Sequence, residues 1–144
     1  LPFQMVTESK LTVRARDGFA LSCISLVPKD TPKGAVLMAG GTGIKKEYYL
    51  NFSRYLCEAG FAVCLFDYRG IGESRPSSLR GFVANNRDWG QKDMPAVLDW
   101  MDKEWASVPK YLIGHSAGGQ HRSPTFAGIR ACPHQTYGSN HHLG

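Results

Sequence analysis

Acidic side chains are absent from this sequence after residue 104, and histidine is absent before residue 115. All twelve Asp and Glu lie at or before Glu104, and all five His lie at or after His115. The composition therefore changes near residue 115. A reaction that needs both a carboxylate and a histidine must combine residues from the two sides of this point.

Several other features are missing. No apolar run approaches the roughly 18 residues of a membrane span, and no signal peptide opens the chain. The four cysteines show no CxxC spacing, and we expect Cys57 and Cys64 to be small buried thiols in a reducing compartment. The net charge of +5 is not clustered, which argues against a nucleic-acid partner. These absences favour a soluble cytoplasmic protein.

The residues that are present predict one domain with several strands. The chain has 144 residues, and 42% of them are hydrophobic, which is enough for one core. Residues 11–16 alternate between apolar and polar side chains, and residues 19–27 are mostly apolar; these two segments flank Asp17-Gly18 and predict a β-hairpin. Short apolar runs typical of strands buried on both faces lie at 35–39, 61–66 and 111–113.

Two stretches have helical periodicity. In the first, apolar residues recur at Tyr49, Phe52, Leu56 and Ala59, and we expect its aromatic side chains to pack in the core. The second begins at Asp88 or Asp93, and Asp93 is a candidate N-cap. Its apolar face consists of Met94, Val97, Leu98, Met101 and Trp105. Strands that alternate with helices predict right-handed crossovers and a parallel sheet.

The segment Gly114-His115-Ser116-Ala117-Gly118 follows the last apolar run and has the pattern of a nucleophile elbow. A tight strand-to-helix turn leaves no room for a Cβ at Gly114 or Gly118. Such a turn exposes the Ser116 hydroxyl, and the Ala117 N–H becomes an oxyanion donor. The simpler alternative is an ordinary glycine–serine turn.

A second glycine-rich loop, Gly40-Gly41-Thr42-Gly43, follows the apolar run 35–39. It does not match the phosphate-binding Walker pattern, because no Gly-Lys-Ser/Thr follows at the required spacing. It can instead supply a second oxyanion donor. The simplest interpretation makes Lys45 and Lys46 exposed residues at a helix entrance. Ligands bind at the carboxyl ends of parallel strands, so this loop and Ser116 can face one site.

These residues resemble the α/β-hydrolase fold. The resemblance rests on Gly-His-Ser-Ala-Gly-Gly at 114–119, Asp-Tyr-Arg-Gly-Ile-Gly-Glu-Ser at 67–74 and the glycine loop, and it extends over about residues 8–120. The run 88–100 is similar to predicted hydrolases related to serine aminopeptidases and monoacylglycerol lipases. The implied fold is a mostly parallel sheet with an N-terminal hairpin, truncated after the elbow strand.

The resemblance also implies roles for individual residues. Ser116 is the implied nucleophile, and the backbone N–H groups of Ala117 and Thr42 are the implied oxyanion donors. Asp67 and Arg69 belong to a structural turn. The implied substrate is a small ester or amide, with no cofactor and no metal.

The chain departs from the family beyond the elbow. Residues 8–119 correspond to the N-terminal part of the hydrolase domain, whereas 120–144 lack the periodicity of the helix and strands expected there. We interpret 120–144 as an irregular tail, either disordered or read in a shifted frame. Its histidines would need an upstream acid such as Asp67 or Asp93 as an orienter. The sheet edge after the elbow strand is a predicted site of self-association.

Two functions of different classes therefore remain open. The first is a serine hydrolase that acts through acyl-Ser116, incomplete and weakly active or inactive in this chain. The alternative is a non-catalytic, truncated hydrolase core that binds a small acyl ligand or a partner chain. A nucleotide-binding domain is disfavoured, because both the Walker lysine and the Rossmann glycine spacing are missing.

Overall fold

One sheet organises the computed structural model, which describes residues 6–40, 43–76, 88–114 and 130–131. Its strands in this part of the chain are β1 (Val6–Arg14), β2 (Ala20–Pro28), β3 (Ala35–Ala39), β4 (Ala62–Phe66), β5 (Lys110–Gly114) and β6 (Arg130–Ala131). Their order across the sheet is β1-β2-β4-β3-β5-β6. Strand β2 is antiparallel to β1 and β4, whereas β3 is parallel to β4 and β5. The predicted α/β fold with an N-terminal hairpin is confirmed.

Two helices cover opposite faces of this sheet. Helix α1 (Leu50–Glu58) continues from a 3₁₀ turn at Lys46–Tyr49, and α2 (Met94–Glu104) continues from a π-helical turn at Trp89–Asp93. The core on the α2 side contains alternate strand residues such as Leu37 and Cys64. The core on the α1 side contains the intervening ones, such as Val36 and Val63. Because neighbouring side chains on a strand point to opposite faces, β3 and β4 are buried on both sides.

The apolar face predicted for α2 is confirmed, since all five of its residues are buried. Asp93 lies at the predicted N-cap position of α2, but it does not cap the helix through its side chain. The Asp93 side chain makes no capping hydrogen bond and binds Arg69 instead. The carboxylate instead pairs with the buried Arg69 guanidinium, so that both partners of the hydrogen bond are charged, whereas a helix cap offers only a neutral N–H donor.

The packing predicted for α1 is partly wrong. Tyr48, Phe52 and Tyr55 are 73%, 48% and 62% exposed, so these aromatic rings lie on the surface. The buried positions of α1 are Ser53 and Cys57, four residues apart on one face. Small side chains on this face let the helix approach the sheet closely, which turns its bulky face outward.

The sheet continues beyond the elbow strand. Residues 130–131 form β6, which pairs in parallel with β5 in the register Tyr111↔Arg130 and Leu112↔Ala131. The edge predicted to be bare is therefore covered along two residues of β5. Self-association through this edge stays a prediction.

The predicted burial of Cys57 and Cys64 as free thiols is confirmed, and Cys23 is also a buried free thiol. The reducing compartment stays a prediction. Burial raises the pKa of Cys57 to about 11, so this thiol stays protonated and unreactive. Among the described residues, none of the helices has both the length and the apolar character needed to cross a membrane.

Candidate active site

The two glycine-containing loops leave the sheet side by side. In the parallel pair of β3 and β5, Ala39 lies opposite Gly114. Gly40 follows β3 directly, and Gly114 ends β5, so both loops start at the same edge of the sheet. Thr42, Ser116, Ala117 and Gly118 lie outside the described residues, and their roles stay predictions.

Position 40 favours glycine because the Tyr49 ring lies close to it, a contact that the sequence pattern does not reveal. A Cβ at this position would lie 2.8 Å from Cε2 of the Tyr49 ring. The glycine therefore lets the 3₁₀ turn before α1 pack against the end of β3. This contact anchors the near end of the loop.

The turn after β4 is built around Asp67. Its Oδ1 accepts the Lys46 backbone N–H at 2.8 Å, and its Oδ2 accepts the Glu73 N–H at 3.2 Å. The Asp67 carbonyl accepts the Ser74 hydroxyl at 2.7 Å, and the same hydroxyl accepts the Ser22 N–H at 2.8 Å. This carboxylate thus joins the turn to the loop that follows β3.

Lys46 lies at the centre of this arrangement, and its predicted exposure is wrong. Its side chain is 0% exposed. Its Nζ donates to Asp67 at 2.7 Å and to Glu73 at 2.9 Å, and it lies 3.0 Å from a Glu47 carboxylate oxygen. Burial by itself would lower the pKa of Lys46, but the hydrogen bonds to these three carboxylates outweigh it and raise the pKa. Lys46 therefore stays charged.

The order of elements along the chain contains a signal for the pairing of this lysine, although its exposure was predicted. Lys46 follows the glycine loop after β3, and Asp67 directly follows the neighbouring parallel strand β4. The carboxyl ends of adjacent parallel strands meet at one edge of the sheet, which brings a cation and an anion together there. Once paired, both charges can be buried.

A second buried ion network surrounds Arg69. The Arg69 backbone N–H and Nε donate to the two oxygens of Asp93 at 2.8 and 2.7 Å. Its terminal nitrogens donate to Asp17 at 2.7 and 3.1 Å, and its guanidinium lies 4.7 Å from the centroid of the Phe19 ring. The network joins the β1–β2 hairpin, the turn after β4 and the start of α2. Arg69 thus has a structural role.

These networks also engage the two upstream acids considered as orienters for a tail histidine. Asp67 and Asp93 are both buried, and each is held by a buried cation. Burial raises the pKa of Asp93 despite its bonds to Arg69. Both carboxylates are therefore already paired with cations in the part of the chain that the structure describes.

A cleft of about 670 Å³ lies between the loop after β3 and the turn after β4. Gly43, Lys45 and Glu47 line one side, and Ile71, Glu73 and Arg75 line the other. Lysine, arginine and glutamate side chains together give it mixed charge. Among the described residues, no group of three His, Cys, Asp or Glu side chains is placed to hold a metal ion.

Gly72 gives a direct test of the turn. Its φ is +52°, and a Cβ would lie 2.6 Å from Oδ2 of Asp67. We expect Gly72→Ala to lower the free energy of unfolding by about 2–4 kcal/mol, through backbone strain and displacement of the carboxylate. Urea denaturation measures the change.

Gly18 provides the matched control, because its φ is +88° and a Cβ there meets nothing within 4 Å. Gly18→Ala is expected to cost about 1–2 kcal/mol from strain alone. Equal losses in the two variants would contradict a tight contact between Gly72 and Asp67.

Solved structures share this architecture. A thermostable carboxyl esterase from Bacillus coagulans superimposes with a TM-score of 0.70 at 18% identity, covering 88% of this chain and 44% of the esterase. XC6422 from Xanthomonas campestris, described as a member of the a/b serine hydrolases without a lid, superimposes with a TM-score of 0.67 at 19% identity. That match covers 91% of this chain and 63% of the other. The fold is that of the α/β-hydrolases.

Sequence comparison identifies the family within this fold. The sequence model of the family described as serine aminopeptidase, S33 matches residues 30–126. Human monoglyceride lipase is 29% identical over 103 residues, which are 72% of this chain and 33% of the lipase. An uncharacterized 31.7 kDa protein from Escherichia coli is 32% identical over 120 residues, which are 81% of this chain and 38% of that protein. The chain belongs to the serine aminopeptidase S33 family, and it spans about a third of the length of the curated relatives it matches.

Proposed function

We propose that this chain carries the nucleophile and the oxyanion loop of a serine hydrolase that cleaves an ester, amide or acylglycerol-like bond. The observation that carries the proposal is the parallel pairing of β3 with β5, with Ala39 opposite Gly114. Because of this pairing, the glycine loop after β3 and the Ser116 segment after β5 begin at the same edge of the sheet. Family membership and the names of the relatives support the same reaction class.

In the proposed reaction, the Ser116 Oγ attacks the substrate carbonyl carbon. The carbonyl oxygen becomes an oxyanion held by the backbone N–H groups of Ala117 and Thr42. When the C–O or C–N bond to the leaving group breaks, the alcohol or amine departs with the proton that the Ser116 hydroxyl has lost, leaving acyl-Ser116. Water then hydrolyses this ester and regenerates the serine. No acid or base is assigned among the described residues.

A fluorophosphonate probe tests the nucleophile. We expect the probe to label the native chain. Labelling of the Ser116→Ala variant should fall to background, because phosphonylation requires an activated hydroxyl. Mass spectrometry of the intact chain and of its peptides gives the extent and the site. Ser123→Ala is the matched control, since it removes another hydroxyl from the same region, and it should be labelled like the native chain. Equal labelling of native chain and Ser116→Ala would reject the proposal.

The second candidate is a non-catalytic hydrolase core that binds a small acyl ligand or a partner chain. It is favoured by the engagement of Asp67 and Asp93, the two acids considered as orienters for a histidine, with buried cations. Turnover of a p-nitrophenyl ester separates the two candidates. Turnover above the Ser116→Ala background excludes the non-catalytic one.

The substrate proposal follows from the relatives named monoglyceride lipase. We propose an ester of a small alcohol, such as a monoacylglycerol, as the substrate class. Hydrolysis of a monoacylglycerol and of the corresponding amide at equal concentration compares the two bond types directly. Faster cleavage of the amide would contradict the ester.

A further inference from the structure

The buried Lys46 cluster joins two loops that the sheet alone leaves separate. Strands β3 and β4 pair as far as Met38 and Leu65. Beyond these residues, the Lys46 backbone N–H and Nζ both bind Asp67, and Nζ also binds Glu73. We propose that Lys46 is a positioning residue that holds the loop after β3 so that its backbone can stabilise an oxyanion. This role rests on the proposed function.

The loop is held at both of its ends. At the near end, Gly40 lies against the Tyr49 ring, where a Cβ would approach Cε2 to 2.8 Å. At the far end, Lys46 is bound through backbone and side chain to a carboxylate that is 0% exposed. The proposed oxyanion donor Thr42 lies between these anchors in the sequence. The two anchors therefore hold the described residues on either side of it, Gly40 and Lys46.

If the Lys46–Asp67 ion pair had only a structural role, replacing Lys46 would give a different result. Buried ion pairs are often replaceable without loss of stability, provided that both charges are removed together. If Lys46 only neutralised Asp67, its loss would change stability and leave the reactivity of Ser116 intact. If Lys46 positions the loop, its loss slows the step that builds negative charge on the bound oxygen.

The experiment measures phosphonylation of Ser116 by a fluorophosphonate, with the maximal rate constant and the half-saturating concentration determined separately. Lys46→Met is expected to lower the rate constant by about 10- to 100-fold, somewhat less than removal of an oxyanion donor. The half-saturating concentration should change less than about twofold, since ground-state binding does not use the oxyanion donors. Circular dichroism at the assay temperature establishes that each variant is folded.

Lys110→Met is the matched control. Lys110 is also largely buried, and its Nζ donates to the carbonyls of Trp105 and Val108 at 2.6 and 2.7 Å. It starts β5 opposite Ala35, at the end of the sheet away from the loop. The control variant therefore also places a methionine at a buried lysine position, but it leaves the loop after β3 unchanged. Its rate constant for phosphonylation should match that of the native chain. A rate constant for folded Lys46→Met equal to the native one would overturn the proposal.

A second variant covers the case in which Lys46→Met does not fold. The double variant Lys46→Met/Asp67→Asn leaves no unpaired buried charge and carries the same expected loss of rate. If neither variant folds, Lys46 is a folding residue and the positioning role is rejected.

Amide hydrogen exchange separates this proposal from the proposed function. If the native chain is not labelled at Ser116, the hydrolase proposal fails. Exchange of the amides of residues 43–46 still decides whether Lys46 holds the loop. Faster exchange there in Lys46→Met, with unchanged exchange in β5, supports the positioning, whereas unchanged exchange in both places rejects it.

Discussion

Replacing Arg69 with alanine is expected to lower the free energy of unfolding by about 3–5 kcal/mol, because it leaves a buried carboxylate without its cation. The Arg69 side chain is 6% exposed and that of Asp93 is 0% exposed. The substitution removes three side-chain hydrogen bonds, one to Asp93 and two to Asp17. The β1–β2 hairpin, the turn after β4 and the start of α2 then lose the side chain that connects them. Urea denaturation followed by circular dichroism measures the loss.

Arg16→Ala is the control for this variant. Arg16 is also paired with an aspartate, Asp99, but the two side chains are 75% and 55% exposed. An exposed pair of this kind contributes less than about 1 kcal/mol. A similar loss of stability in both variants would show that burial of Arg69 does not govern the effect.

The loss in Arg69→Ala should also depend on pH. In the native chain, Arg69 holds the pKa of Asp17 at about 2, below its ordinary value of 3.8. This contribution is complete above pH 3.8 and disappears as the pH falls towards 2. In the variant, Asp93 without Arg69 gains a higher folded pKa, and its unfavourable burial is relieved on protonation. The Asp93 effect narrows the stability difference between variant and native chain as the pH falls towards 3.8, the ordinary pKa of an aspartate. The Asp17 effect narrows it further between pH 3.8 and about 2.

Leu37→Ala is expected to lower the free energy of unfolding by about 2–5 kcal/mol, because it opens a cavity where the sheet cannot close around it. Leu37 is 0% exposed in the middle of β3, which has a strand on each side. It belongs to the core cluster that includes Val97 and Met101 of α2. Urea denaturation again measures the change.

Two further variants test whether the Leu37 effect is a cavity effect. Leu37→Met nearly conserves volume and should cost less than about 1.5 kcal/mol. Leu11→Ala should cost about 1 kcal/mol, because Leu11 is only partly buried at the edge strand β1. If Leu37→Met costs as much as Leu37→Ala, shape at this position matters more than the empty volume.

Local patterns were sufficient for much of the fold. Alternation around Asp17-Gly18 predicted the hairpin, and the spacing from Met94 to Trp105 predicted the buried face of α2. These signals are reliable because they depend on residues within about three helical turns or one β-turn. The outward face of α1 was predicted wrongly. Aromatic side chains give a strong hydrophobic signal, yet Ser53 and Cys57 pack on the sheet.

The sequence by itself determined the α/β fold class, the order of the strands and helices from the hairpin to β5, and the strands from which the two glycine loops leave. It did not predict β6. Tertiary structure alone decided that Lys46 is buried and that Asp93 binds Arg69 instead of capping α2. Lys46 meets acceptors 21 and 27 residues away, and Arg69 meets an acceptor 24 residues away. No local pattern encodes such distances. The charges of Lys46 and Arg69 are tolerated in the interior only because the folded sheet edge brings their acceptors within hydrogen-bonding distance.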